Sequence, residues 1–415
     1  MRAVFVLAIA AACGGEQEQS ADTAPTWHRD VAPVVDKYCA RCHDGSTGLA
    51  PGDFSDFSTS SALAEYMLSR IDAGEMPPPA SDPDCRPYEG SDRLTVAPAD
   101  RDLIERWIDA GKPEGDPATA PTAAVVPVDH LTNVTHQLTT AAPYTPQYTD
   151  ANEYRCFLLD YDEANDKYLT SLEFAIDHPE VSHHAVLYLD NNGSSAGYVT
   201  DPATQSWNCE ASPDDEWMYL HAWAPGSGPL RFGDGVGLQI GGGQKLVLQM
   251  HYYEGAPVTD DRPGYALEMA DSVTTTLYYA PVGPYDFVIP AGDKSYTSTE
   301  RIDLGDLIGT PIPFTVYGGS SHMHVLGKKY DVRYHHPDGT ETCIMQGDYD
   351  FANQVTYWFD TPAYLPADGG ELEVTCTWDN SAGNPDQINA SPEDVVWGEN
   401  TDAEMCFAFL YFSIF

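Results

Sequence analysis

Positive charge is scarce in this chain: 20 Lys and Arg stand against 64 Asp and Glu, for a net charge of −44 over 415 residues. That balance excludes nucleic acid and anionic membrane surfaces as partners. It reads as solubility, with steering of a cationic substrate or a basic redox partner as the alternative. Long apolar runs are equally scarce, and past residue 12 none is long enough to span a bilayer. Long amphipathic helical patterns are missing from about residue 146 onward, which leaves short strands to build the C-terminal two thirds. The length suffices for two or three domains with packed cores.

The one apolar run lies at the start, where Met1-Arg2-Ala3 leads into apolar residues up to Ala12. Residues 1–20 read as an export signal segment. Cys13, ahead of Gly14-Gly15, resembles the lipobox cysteine of bacterial lipoproteins, although Ala10 stands where leucine is usual. The alternative is an ordinary signal whose cleavage site lies near a cysteine. Either way the expectation is an exported bacterial protein, periplasmic or on the cell surface, free or tethered to the membrane by a lipid on Cys13.

Cys39-Ala40-Arg41-Cys42-His43 is a C-x-x-C-H string, the pattern that attaches haem through two thioethers with the histidine as proximal iron ligand. Val31, Val34, Val35 and Tyr38 precede it at helical spacing. Two further amphipathic runs carry Leu63, Met67, Leu68 and Ile71, then Leu103, Ile104, Trp107 and Ile108. Between them lies Gly74-Glu75-Met76-Pro77-Pro78-Pro79. Three helices with a methionine on a proline-rigid loop resemble a small class I cytochrome c. The resemblance makes Met76 the distal ligand and residues 21–112 a small all-α cytochrome c domain with covalent haem c. Met67, inside an apolar stripe, reads as core. Residues 113–145 open on a Pro-, Ala- and Thr-rich run and read as a linker.

Beyond it come short alternating runs such as Ala185 to Leu189, Lys245 to Tyr253, Tyr330 to Tyr334 and Glu371 to Trp378. They predict two all-β sandwiches, residues 146–275 and 276–415. Six metal-ligand candidates fall among them in order: His183 and His184, His251, His322 and His324, and Met405. Imidazole suits copper in both oxidation states and a thioether favours Cu(I), so the split suggests two copper ions in unlike sites. His322 and His324, two apart on a strand, project from one face. His183 and His184 are adjacent, so a shared ion requires a local bend or different ring nitrogens.

The strings Ser182-His183-His184-Ala185-Val186-Leu187-Tyr188, Leu248-Gln249-Met250-His251-Tyr252, His322-Met323-His324-Val325-Leu326-Gly327-Lys328 and Glu404-Met405-Cys406 resemble the copper type II, ascorbate-dependent monooxygenases. The resemblance implies two jelly-roll-like domains facing each other across a solvent-filled cleft, one copper in each. It makes His322, His324 and Met405 the oxygen-activating centre, and His183, His184 and His251 the electron-supplying one. Gln249 matches a family glutamine on a path between the sites; as a plain polar strand residue it reads equally well. A Cys376–Cys406 bridge is also implied. Cys156–Cys209 is expected as a second bridge, while Cys85 and Cys343 have no assigned partner.

The departures are informative. Ser320 stands where peptide-amidating members carry an arginine that holds the substrate carboxylate, and Phe407 and Phe409 replace a peptide-contacting asparagine and tyrosine. Peptidylglycine is thereby disfavoured, and the two phenylalanines suggest either an apolar or aromatic substrate pocket or core packing. The expected function is hydroxylation of a C–H bond in a small organic substrate with O2. Electrons would come from ascorbate or another external reductant through the fused haem to the all-histidine copper. Two alternatives are a non-oxygenating copper and haem electron-transfer protein, and a surface adhesion or carbohydrate-binding module.

Overall fold

The computed structural model describes residues 24–44, 52–121, 130–149, 152–209, 214, 216–225, 227–255, 257–303, 305, 309, 311–351, 353–398 and 403–414. The signal segment and Cys13 lie outside them.

Helices are confined largely to the first hundred residues. Trp27–Val31, Ala32–Tyr38, Phe57–Asp72 and Pro98–Asp109 pack their apolar faces into a small core. Trp27, Val31, Val35, Met67, Ile104 and Trp107 fill it. Met67 is core, as its place in the stripe predicts; Leu63, from the same stripe, is 38% exposed. Asp56 starts the longest helix by accepting a hydrogen bond from the Thr59 N–H (2.8 Å).

The rest is β. A five-stranded sheet runs in the order Ser206–Asn208, Asn152–Leu158, Lys245–Tyr253, Ser182–Asp190, Met218–Trp223. A four-stranded sheet joins Tyr296–Asp303, Glu371–Trp378, Gly327–His335 and Glu341–Asp348. Each covers one half of a nine-stranded sheet, and the apolar faces between them form two large cores.

That long sheet is continuous across both halves. Thr275–Val282 pairs in parallel with Val236–Ile240 of the first half and antiparallel with Phe407–Ser413 of the second. The boundary placed at 275/276 from sequence therefore falls at the start of the strand that joins the halves. The stretch taken as linker also contributes a strand: His136–Thr139 pairs with Gly264–Ala270. Its alternation is too short to stand out in a polar run.

Cys85, Cys156, Cys209, Cys343, Cys376 and Cys406 are all bridged. Cys376–Cys406 and Cys156–Cys209 form as expected, and Cys85 pairs with Cys343, 258 residues away. Residues 80–90, counted with the helices by sequence, lie on the second sandwich, where Tyr88 is 2% exposed within the second core.

One buried acid in the first sandwich sets a pH dependence. Asp261 is fully buried, and burial pushes its carboxyl up to about 6, against a hydrogen bond from the Tyr252 hydroxyl (2.6 Å). The unfolded chain ionises near 3.9, so the folded state holds the extra proton between about pH 4 and 6 and loses stability as pH rises through that window. Asp261→Asn is expected to match the wild type near pH 3.5 and to exceed it by about 2 kcal/mol above pH 7, read from urea unfolding across pH.

Candidate metal centres

Two neighbouring strands bring the first three histidines together. His184 sits directly opposite His251, and the register slips between Ser182 and His184. This bulge supplies the bend that adjacent histidines need: it turns His183 and His184 to one side. The Nδ1 atoms of His183 and His184 are 3.2 Å apart, and those of His251 and His184 3.4 Å. All three rings thus present the same nitrogen, and their ligating atoms lie within 4.8 Å of one another.

The tautomer follows from the far side of a ring. His251 Nε2 donates to Asn152 Oδ1 (2.9 Å), which leaves its Nδ1 a lone pair. Burial pushes His251 down to about 3, holds His184 well below the ordinary imidazole range, with His251 and His183 adding to the effect, and lowers His183. Three buried imidazoles whose Nδ1 atoms converge are suited to holding a cation between them. Tyr154 stacks on His251 at 4.1 Å and 10° and walls the site.

The second set comes from loop ends rather than strand interiors. His322 ends the strand Phe314–His322, His324 lies just past it, and Met405 lies just before Phe407–Ser413. The expectation of two histidines on one flat strand face is corrected: the strand stops at the first, and the rings stand nearly perpendicular (86°) with centroids 5.3 Å apart. His322 Nδ1 donates to Gln354 Oε1 (2.7 Å) and His324 Nδ1 to the Ala403 carbonyl (3.0 Å). Both rings therefore keep Nε2 as the lone-pair nitrogen, the opposite choice from the first set. Burial, followed by the neighbouring His324, pushes His322 down to about 3.

Glu404 shapes this set and was not singled out by sequence. Its buried carboxylate accepts from the N–H groups of His324 (2.8 Å) and Leu326 (2.7 Å) and from Trp378 Nε1 (2.9 Å). The residue before Met405 thus ties the histidine loop to the methionine segment. Burial pushes its carboxyl up to about 7 despite those donors. The available signal was a lone acid in the otherwise apolar run Ala403 to Leu410.

Both sets border a single cavity of about 440 Å³, lined by His184, His322, His324, Met405 and Gln249 among others. Phe351 stands between them, its ring edge-on to His184 (6.5 Å) and His324 (6.2 Å). Among the described residues half the lining is aromatic, with one carboxylate, Asp214, and no Lys or Arg. Phe409 stacks with Tyr219 (4.6 Å, 11°) and Tyr279 (5.7 Å, 6°), so it faces the cavity as part of a flat aromatic wall. Ser320 is buried, and it leaves no cationic clamp at its position.

In the helical unit Cys39 caps Ala32–Tyr38, and the His43 N–H bonds back to the Cys39 carbonyl (3.0 Å). Cys39 and Cys42 are thiols, while every other cysteine of the described residues is in a disulfide. His43 stacks on Phe54 (4.5 Å). Met76 is 44% exposed, on the loop after Phe57–Asp72.

No curated protein matches the chain. Solved structures similar to it include the T13 IBDV viral particle, at 11% identity over 72% of this chain and 77% of that one (TM-score 0.17). Others are the infectious bursal disease virus VP2 subviral particle, at 12% over 72% and 80% (TM-score 0.17), and Broad Bean Stain Virus, at 8% over 71% and 92% (TM-score 0.21). Scores this low bear on neither fold nor function. The informative match is to a family: residues 138–257, which carry His183, His184, Gln249 and His251, are similar to the N-terminal domain of the copper type II ascorbate-dependent monooxygenases.

Proposed function

We propose that the chain is an exported two-copper monooxygenase acting on a small apolar or aromatic substrate: R–H + O2 + 2e⁻ + 2H⁺ → R–OH + H2O. The observation that carries this reading is the pair of unlike ligand sets, three converging imidazoles and two imidazoles beside a thioether, bordering one aromatic cavity. The residues fit copper. His183, His184 and His251 would hold one ion through Nδ1, and His322 and His324 through Nε2 with the Met405 sulfur would hold the other. Copper held there would supply one-electron redox chemistry toward dioxygen.

The chain's own groups do the rest. Asn152, Gln354 and the Ala403 carbonyl fix the ring tautomers, so the ligands are pre-oriented before metal arrives. The stacked Tyr219, Tyr279 and Phe409 offer a flat apolar face to an aromatic ring and exclude water beside Met405. With no Lys or Arg among the described lining residues, a substrate carboxylate finds no partner there, which fits the loss of the family's arginine at Ser320. Gln249 is buried at the same cavity, where the family resemblance places it on a path between the two sets.

Cys39, Cys42 and His43 are the residues that would hold haem c, with Met76 as the distal ligand. The two free thiols beside six paired ones suit thioether attachment. The haem would carry electrons from ascorbate or another external donor. Three disulfides support an exported location, and Cys13 is the proposed lipid anchor.

The test is metal and haem content of the purified protein, paired with oxygen uptake under ascorbate. Two coppers, one haem and sustained uptake are expected. Two coppers without oxygen consumption would leave a non-oxygenating electron carrier, and fewer than two would remove the assignment of one ligand set.

A further inference from the structure

Residues 79–90 lie outside the stretch that matches the copper family, yet they are built into the second sandwich. Ser81 pairs with Gly347 and Tyr88 with Phe359 as antiparallel bridges, and Cys85 is disulfide-bonded to Cys343. The Asp82 N–H donates to the Gln346 carbonyl (2.7 Å), and Gln346 Nε2 returns a bond to Asp82 Oδ2 (2.9 Å). Arg86 donates to the carbonyls of Cys343 (2.9 Å) and Thr361 (3.1 Å). The apposition is so close that a Cβ on Gly347 would stand 2.7 Å from the Ala80 carbonyl oxygen.

This strap reaches the metal ligands in one step. Asn353 Nδ2 donates to the Pro79 carbonyl (3.1 Å). The next residue, Gln354, accepts a hydrogen bond from His322 Nδ1 at its Oε1 (2.7 Å) and donates from Nε2 to the Phe351 carbonyl (3.1 Å). Phe351 is the ring between His184 and His324. Tyr349, at the head of the same turn, donates from its hydroxyl to the carbonyl of Met323, the residue between the two histidines (2.5 Å). Gln354 and Tyr349 thus tie this turn to a ligand and to a ligand's neighbour, and Asn353 ties it to the strap.

We propose that Pro79–Tyr88 is a positioning strap for the copper cleft: by pinning the turn that carries Phe351 and Gln354, it sets the orientation of His322 and completes the His322, His324 and Met405 site. This rests on the copper reading above. A segment that only tethered the helical unit would need a single attachment to the sandwich surface. The strap instead has a disulfide, two bridges and a bond into the turn that orients a ligand. Its residues act through Gln354 and are positioning residues.

The test uses the full-length, copper-loaded protein and two variants that leave every ligand in place. Gly347→Val wedges a side chain against the strap, and Asn353→Ala removes only the bond to Pro79. Cu(II) electron paramagnetic resonance reads each site's geometry, competition with bicinchoninate reads Cu(I) affinity, and circular dichroism reads the fold. Both variants are expected to stay folded and keep the His183, His184 and His251 copper unchanged. The other copper should bind about tenfold more weakly, with altered hyperfine splitting. Two folded variants with wild-type spectra and affinities would overturn the proposal and leave the strap a tether. Should Gly347→Val fail to fold, Asn353→Ala decides alone. A wild type binding fewer than two coppers would instead defeat the copper reading itself, a result visible before any variant is made.

Discussion

Met405→Ala is expected to leave copper binding at the three-histidine site intact while lowering ascorbate-driven oxygen uptake on the order of 100-fold, about 2.7 kcal/mol of transition-state stabilisation. The argument is one of ligand softness. His322 and His324 serve either oxidation state, so only the thioether biases its site toward Cu(I), the state that reacts with dioxygen. Met405 is 8% exposed and borders the cavity, so removing it also opens room for water. His251→Ala makes the contrasting case. It removes one of three converging nitrogens and is expected to lose one copper per chain outright, read by metal analysis. Oxygen uptake unchanged by Met405→Ala would sink the oxygenase reading and favour the electron-transfer alternative.

What could be read from sequence divides along a physical line. The candidate ligands were legible because they sit in short strings whose chemistry is local: two adjacent imidazoles, an H-x-H, a methionine beside a cysteine. The groups behind those ligands were not. Asn152, Gln354 and the Ala403 carbonyl each meet the far nitrogen of an imidazole from a separate segment, and no spacing rule encodes that meeting. The bulge at Ser182 to His184 was foreseen only as a need, since register depends on the partner strand. Strand cores such as Lys245–Tyr253 were plain from apolar alternation, but the sheet running through both halves depends on the long-range pairing of Thr275–Val282 with Phe407–Ser413. Cys85 and Cys343 went unpaired for the same reason: 258 residues separate them, and Cys85 lies in a proline-broken stretch that composition groups with the helices.

Glu404→Ala carries the largest expected cost to stability, about 3–5 kcal/mol, measured by urea unfolding of the metal-free protein. The carboxylate is buried and receives three donors: the backbone N–H groups of His324 and Leu326 and the indole of Trp378, a fully buried ring. Alanine removes the acceptor from all three at once, and each buried orphan costs about 1–3 kcal/mol unless water enters the small void. Nearby groups are already committed, since Cys406, two residues on, is bridged to Cys376 in the same core. Glu404→Gln keeps one acceptor oxygen and is expected to recover about half of the loss. The metal site should follow the backbone. With the His324 N–H released, the loop no longer holds the histidine against Met405, so copper at that site weakens in proportion to the stability lost. A Glu404→Ala protein as stable as the wild type would mean that water replaces the carboxylate, with His324 still held by its Nδ1 bond to the Ala403 carbonyl.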